Sequence, residues 1–137
     1  MIRHLRARWP VFSGILILAI GIFVGERWGL YDTIPHFDKV MHFLGGMAVA
    51  WFALSVFQNE LVRWTGWKQL VVLTATACLV GVVWEFAEYF ANFTRYTHPA
   101  FYHWYHGGDL ADTLGDLAAD ILGGAAFAFW ALARERA

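Results

Sequence analysis

DKVMHFLGGMAVAWFAL, residues 38–54, reads as a membrane-crossing helix. Apart from Asp38, Lys39 and His42 near its start, every side chain is apolar or glycine. A near-copy follows 78 positions later: DLAADILGGAAFAFWAL, residues 116–132. The identical pairs are Asp38/Asp116, Leu44/Leu122, Gly45/Gly123, Gly46/Gly124, Ala48/Ala126, Ala50/Ala128, Ala53/Ala131 and Leu54/Leu132, and position 42 is His where position 120 is Asp. Both copies place their polar residues first, so they run the same way through the bilayer and form a parallel repeat. Their paired glycines allow close approach of helix backbones.

Outward from this pair, two more stretches reach the roughly 20 apolar residues a span needs. The expected spans are about 10–30, 38–57, 69–91 and 109–133. Short joins favour antiparallel neighbours, which predicts an all-α polytopic bundle of four transmembrane helices in a single domain, 1–137. Composition agrees. Hydrophobic residues make up 59% of the 137 and charged residues 15%, against about 45–50% and 25% in soluble domains. One small soluble core cannot bury so much apolar surface. A lone cysteine, Cys78, forms no internal bridge, and a net charge of −1 speaks against a nucleic-acid partner. The basic run Arg3, Arg6, Arg8 and the triplet Ala19-Ile20-Gly21 imitate a signal peptide, but the apolar run continues through Ile22-Phe23-Val24. The first span is therefore expected to stay in the protein.

Lysine and arginine orient the bundle. With the N-terminus inside, the cytoplasmic face holds Arg3, Arg6, Arg8, Arg63, Lys68, Arg134 and Arg136, and the outer face only Arg27, Lys39 and Arg95. Both termini are thus expected in the cytoplasm. Trp9, Trp64 and Trp67 would mark the inner interface, and Trp28, Tyr89, Tyr96, Trp104 and Tyr105 the outer one.

The acids are just as lopsided. Glu60 and Glu135 lie inside, while Glu26, Asp32, Asp38, Glu85, Glu88, Asp109, Asp112, Asp116 and Asp120 lie toward the outside. Asp109 and Asp38 can be read as helix-end residues, where capping and the dipole favour a carboxylate. Asp116 and Asp120 sit two to three turns inside a span. There an Asp costs about 2.5–3.5 kcal/mol, so Asp116, Asp120, Glu85 and Glu88 together approach an upper bound of about 10 kcal/mol. Protonation, hydrogen bonding, a water cavity or a bound cation must offset that cost. The candidate ligands for a divalent cation (Mg, Mn, Ca or Zn) are Asp38, His42, Glu85, Glu88, Asp112, Asp116 and Asp120, because carboxylates suit hard ions and one imidazole widens the choice. Purely structural hydrogen bonding is the competing explanation. In the outer loop 92–108, His103 and His106 are candidates for contacting a substrate, against a reading of that loop as an aromatic lid; His98 shares the loop. Cys78 reads as a packing residue.

Three motifs carry a family resemblance: Asp38-Lys39-x-x-His42 with Gly45-Gly46; Trp84-Glu85-x-x-Glu88; and Gly108-Asp109-x-x-Asp112-Thr113-x-x-Asp116 with Gly123-Gly124. In order and placement they resemble the VanZ-like group of small bacterial membrane proteins, nearest to its YjdF-type branch. The resemblance implies a multi-pass protein of the bacterial inner (cytoplasmic) membrane, with its acidic and histidine motifs near one face. VanZ-type members are associated with low-level glycopeptide (teicoplanin) resistance. The wider group often carries Asn where this chain has Asp120. The function expected from residues and resemblance together is an outward-facing, cation-binding acidic pocket acting on an envelope lipid or lipid-linked precursor. A proton- or cation-coupled transporter and a non-catalytic assembly or resistance accessory are the alternatives.

Overall fold

A computed structural model describes residues 2–25, 27–94 and 109–134. Glu26, Arg95, Tyr96, His98, His103, Trp104, Tyr105, His106, Glu135 and Arg136, named above, lie outside the described residues. The elements are α1 (Ile2–Ala19), continued by a wider π turn (Ile20–Gly25), then α2 (Leu30–Thr33), α3 (Phe37–Leu61), α4 (Gly66–Thr94) and α5 (Leu110–Arg134). No strand occurs among the described residues. Among the described residues, four helices are long and apolar enough to cross a membrane: Arg8–Gly25, Phe37–Leu61, Gly66–Phe90 and Leu110–Arg134.

The expected four-span bundle is present, but its boundaries move for local reasons. The first helix was expected to begin at Pro10 and run to residue 30. Pro10 instead lies inside α1 with its side chain fully buried. A proline inside a membrane helix is tolerated where neighbours compensate for its missing donor. At the other end the π turn buries Gly21 and Gly25. A side chain at Gly25 would strike the Tyr31 ring, which packs edge-on against Phe37 at 5.1 Å. Gly29, at φ 61°, then turns the chain into α2, and His36, also at φ 61°, turns it into α3. The second span was expected to stop at Phe57. The backbone does leave helical geometry there (φ −99°, ψ 16°), yet the helix resumes to Leu61. Gln69 accounts for the short join that follows: its buried amide donates to the carbonyls of Leu61 (2.9 Å) and Trp64 (3.1 Å). The Leu61 carbonyl is one of those a helix end otherwise leaves orphaned, and Trp64 lies in the join itself.

Contacts fix the directions. Lys39 meets Asp112 and Asp116, His42 meets Asp120, and Trp51 stacks on Phe127. Residue numbers rise together, so α3 and α5 are parallel neighbours, as the repeat requires. Gly81 lies against Asp120, and Gly124 against Ala77 and Thr74, so α4 runs antiparallel to α5. Gly21 against Met41 and Gly25 against Phe37 make α1 antiparallel to α3. All the acid-bearing helix ends therefore meet at one end of the bundle.

The opposite half holds an apolar core of Ala50, Ala53, Leu61, Leu73, Phe127 and Ala128. In lipid, such contacts hold helices together by close van der Waals packing, since the surroundings are no less apolar than the core. The outer faces match that solvent: Leu79, Val83, Phe86 and Phe90 form an exposed stripe along α4 at helical spacing.

Exposed Trp28 and Trp64 lie at opposite ends of the bundle and allow the expected orientation to be tested. In a Cys78→Ala background, a membrane-impermeant maleimide applied to intact spheroplasts should label Trp28→Cys and spare Trp64→Cys until the membrane is opened. The reverse pattern would invert the orientation.

Candidate functional site

The centre of the acid cluster is His42, one turn into α3 and 8% exposed. Its two ring nitrogens face different partners. Nδ1 lies 3.2 Å from Oδ2 of Asp120. An ionised Asp120 accepts from Nδ1–H there, which leaves Nε2 as the nitrogen with a free lone pair. Nε2 faces three carboxylate oxygens at nearly equal distance: Asp38 Oδ1 at 3.9 Å, Glu85 Oε1 at 3.9 Å and Asp116 Oδ1 at 3.8 Å. These atoms come from α3, α4 and α5, which is how ligand sites arise inside helix bundles.

Asp116 and Asp120 point into the bundle, at 2% and 5% exposure, and not toward lipid. The glycines make this possible. A β-carbon on Gly81 would collide with the Asp120 carboxylate, and one on Gly46 would collide with the Asp120 backbone carbonyl. Gly81 on α4 thus opens the volume that the Asp120 side chain fills, and Gly46 on α3 lets the α5 backbone come close.

Lys39 is the member that sequence reasoning missed as a site residue. Its ammonium lies 2.5 Å from Asp112 Oδ1, 2.7 Å from Asp116 Oδ1 and 3.6 Å from Asp38 Oδ2, and also donates to the Asp112 backbone carbonyl at 3.3 Å. The contact with Asp116 is ionic and off hydrogen-bond alignment, so Asp116 Oδ1 has no hydrogen-bond partner among the described residues; nor has Glu85 Oε1. One signal for Lys39 was available. A lysine in the first turn of a helix opposes the helix dipole, so a compensating anion was to be expected nearby.

The seven candidate ligands thus separate by position. Asp38, His42 and Asp116 present ligand atoms that all lie within 4.8 Å of one another, and Glu85 borders them. Asp112 is taken up by Lys39. Glu88 accepts from the Trp84 indole N–H at 2.8 Å. Asp120 orients His42 from behind. Asp109 behaves as a helix cap, its Oδ1 accepting from the Asp112 backbone N–H at 3.0 Å. His103 and His106 lie outside the described residues.

The His42 Nε2 distances of 3.8–3.9 Å lie at the wide end of what an ion needs, and the three-residue set spans up to 4.8 Å. With bonds of about 2.1–2.4 Å, neighbouring ligands sit roughly 3.0–3.9 Å apart, depending on geometry. Closing the whole set takes a movement of up to about 1 Å. A carboxylate that fixes the far nitrogen of a ligating histidine is the usual second layer of such a site.

Beside the cluster a cavity of about 480 Å³ opens between α1, α3 and α4. Asp38, His42, Glu88 and Asp120 line its polar part; Pro10, Gly14, Val49 and Phe52 are among its apolar walls.

No solved structure matches the chain. An uncharacterized protein of Thermotoga maritima is 28% identical over 113 residues, which covers 79% of this chain and 56% of that protein. The chain therefore spans little more than half the length of that relative. Over residues 1–137 the sequence matches the family described as "Predicted membrane protein (DUF2238)". A match over the full length agrees with four apolar helices in one bundle, and the chain belongs to this DUF2238 family of membrane proteins.

Proposed function

We propose that this protein holds one divalent cation between Asp38, His42 and Asp116, with Glu85 alongside, and uses it at the outer face of the inner membrane on an envelope lipid or lipid-linked precursor. The observation that carries the reading is the three-residue set of ligand atoms within 4.8 Å, one of them the buried Asp116 oxygen. Lys39 already pairs with that oxygen, but one ammonium shared among Asp38, Asp112 and Asp116 leaves negative charge that a cation would offset. Oxygen ligands with one imidazole suit Mn²⁺ best, then Mg²⁺, Ca²⁺ or Zn²⁺. A bound ion would polarise an ester or activate a water. The motif resemblance to VanZ-like, YjdF-type proteins supports an envelope-side role.

A proton- or cation-coupled transporter is the second reading, favoured by the parallel repeat and by carboxylates reaching toward mid-membrane. Against it stands the apolar half of the bundle. Ala50, Ala53, Leu73, Phe127 and Ala128 are packed shut below the acids, which supports a pocket open at one end.

The test is a metal titration of the purified protein after chelator treatment, with Mn²⁺, Mg²⁺, Ca²⁺ and Zn²⁺ in turn. About one ion per chain is expected. Asp116→Asn keeps the shape but removes the charge, and should weaken retention by about 100-fold or more. Asp120→Asn should cost about 10–100-fold, the usual effect of losing the partner of a ligating histidine. Asp109→Asn should change nothing, because Asp109 caps a helix. Equal retention by wild type and Asp116→Asn, or none by either, would defeat the metal reading.

A further inference from the structure

We infer that the cavity between α1, α3 and α4 takes a hydrocarbon chain of a membrane amphiphile, whose uncharged or cationic head lies beside Asp38 and His42. This deepens the reading of the site as one that handles a membrane lipid, and rests on it.

Shape comes first. The cavity is lined along α1 from Pro10 to Ile22, about 18 Å of helix at 1.5 Å per residue. That is close to the depth of one leaflet's hydrocarbon, half of about 30 Å. Spread over that length, 480 Å³ leaves a cross-section of about 27 Å². A methylene chain with carbon contacts near 4 Å needs roughly 20 Å², so the space admits a hydrocarbon chain.

Access comes second. The main packing of α1 is against α3, and the cavity lies beside that contact, walled on its other side by α4. An apolar cavity between two membrane helices is reached most directly from the bilayer, whose molecules are amphiphiles with chains of this length. Charge decides the head. Six acids (Asp38, Glu85, Glu88, Asp112, Asp116, Asp120) face two basic residues, Lys39 and His42. Counted as ionised, the acids keep the excess even with a bound divalent ion, so a phosphate head meets repulsion that an alcohol or amine does not.

Two glycines make the idea testable. Gly14 and Gly45 both line the cavity, on α1 and α3, and a β-carbon at either meets nothing within 4 Å. Leucine at both positions would fill the bore from its two sides. The probes are hexadecanol, hexadecylamine and hexadecyl phosphate, each carrying a diazirine at the far end of the chain, photolysed with the purified full-length protein. Cross-links are mapped by mass spectrometry. The alcohol or amine should label the deep end of the cavity, near Val11 and Phe52, and the pair Gly14→Leu/Gly45→Leu should cut that labelling at least tenfold. Labelling of the lipid-facing stripe at Leu79 and Phe86 should not change. Should the pair fail to fold, Gly45→Val alone narrows the same bore. Deep labelling no stronger than at the stripe, or unaltered in a folded variant, overturns the chain site. Labelling by the phosphate equal to that by the amine and the alcohol overturns the assignment of the head. Ion retention on the same samples separates the two readings. A metal site that fails leaves cavity labelling intact, and a chain site that fails leaves ion retention intact.

Discussion

Alanine at Gly123 should unfold the bundle or cost it about 3 kcal/mol, while alanine at Gly45, its counterpart in the repeat, should raise stability by up to about 1 kcal/mol. At Gly123 the new carbon would fall on the Phe43 carbonyl and press on the Met47 backbone nitrogen. Both are backbone, so no side-chain rotation relieves the clash and α3 and α5 must move apart. Overpacking of this kind costs about 1–3 kcal/mol and occasionally more. Here separation would also pull His42 from Asp120 and thin the van der Waals contact that holds helices together in lipid. Gly46→Ala should behave like Gly123→Ala, because its new carbon would meet the Asp120 carbonyl. At Gly45 nothing lies within 4 Å, so only the better helix propensity of alanine is felt. Thermal unfolding in detergent reads all three. Equal stability of Gly123→Ala and wild type would refute the close contact of these backbones.

Lys39→Met should destabilise the protein in chelator by up to about 3 kcal/mol, and millimolar divalent ion should restore most of that loss. The ammonium serves Asp38, Asp112 and Asp116 at once. Removing one partner of a buried pair costs about 3–5 kcal/mol. Lys39 and Asp112 are partly exposed, so the lower end of that range is the ceiling here. The same change frees Asp116 Oδ1 for an ion, so metal affinity should rise about tenfold or more, opposite in sign to Asp116→Asn. Unfolding curves with and without Mn²⁺ measure both effects. A loss that no divalent ion repairs would make Lys39 a purely structural cation.

Lys39 also marks where sequence reading ran short. Its partners are 73 and 77 residues away on another helix, and side-chain spacing within α3 says nothing of them. The four-span bundle was legible because apolar length is a strong local signal and the shared frame of residues 38–54 and 116–132 repeats it. Burial of Asp116 and Asp120 was legible too, since lipid offers a carboxylate no partner. The division of labour among the acids was not. Asp120 and Asp38 stand equally well one turn from a candidate ligand position, and only the direction of the His42 ring separates the carboxylate behind it from those in front. Boundaries slipped where a single side chain decided them, as at Gln69, whose amide holds the end of α3.

The meeting of residues 42 and 120 has an evolutionary consequence. They are the same position in the two copies, and they touch each other. If the chain arose by duplication of one hairpin, two identical ancestral halves would have set aspartate against aspartate there, or histidine against histidine. Neither pairing supplies a matched donor and ionised acceptor. Divergence at this single position turned a self-facing clash into a polarised pair and gave the imidazole a front and a back. A chain reverted to internal symmetry at this position would keep its spans and lose the directionality of its site.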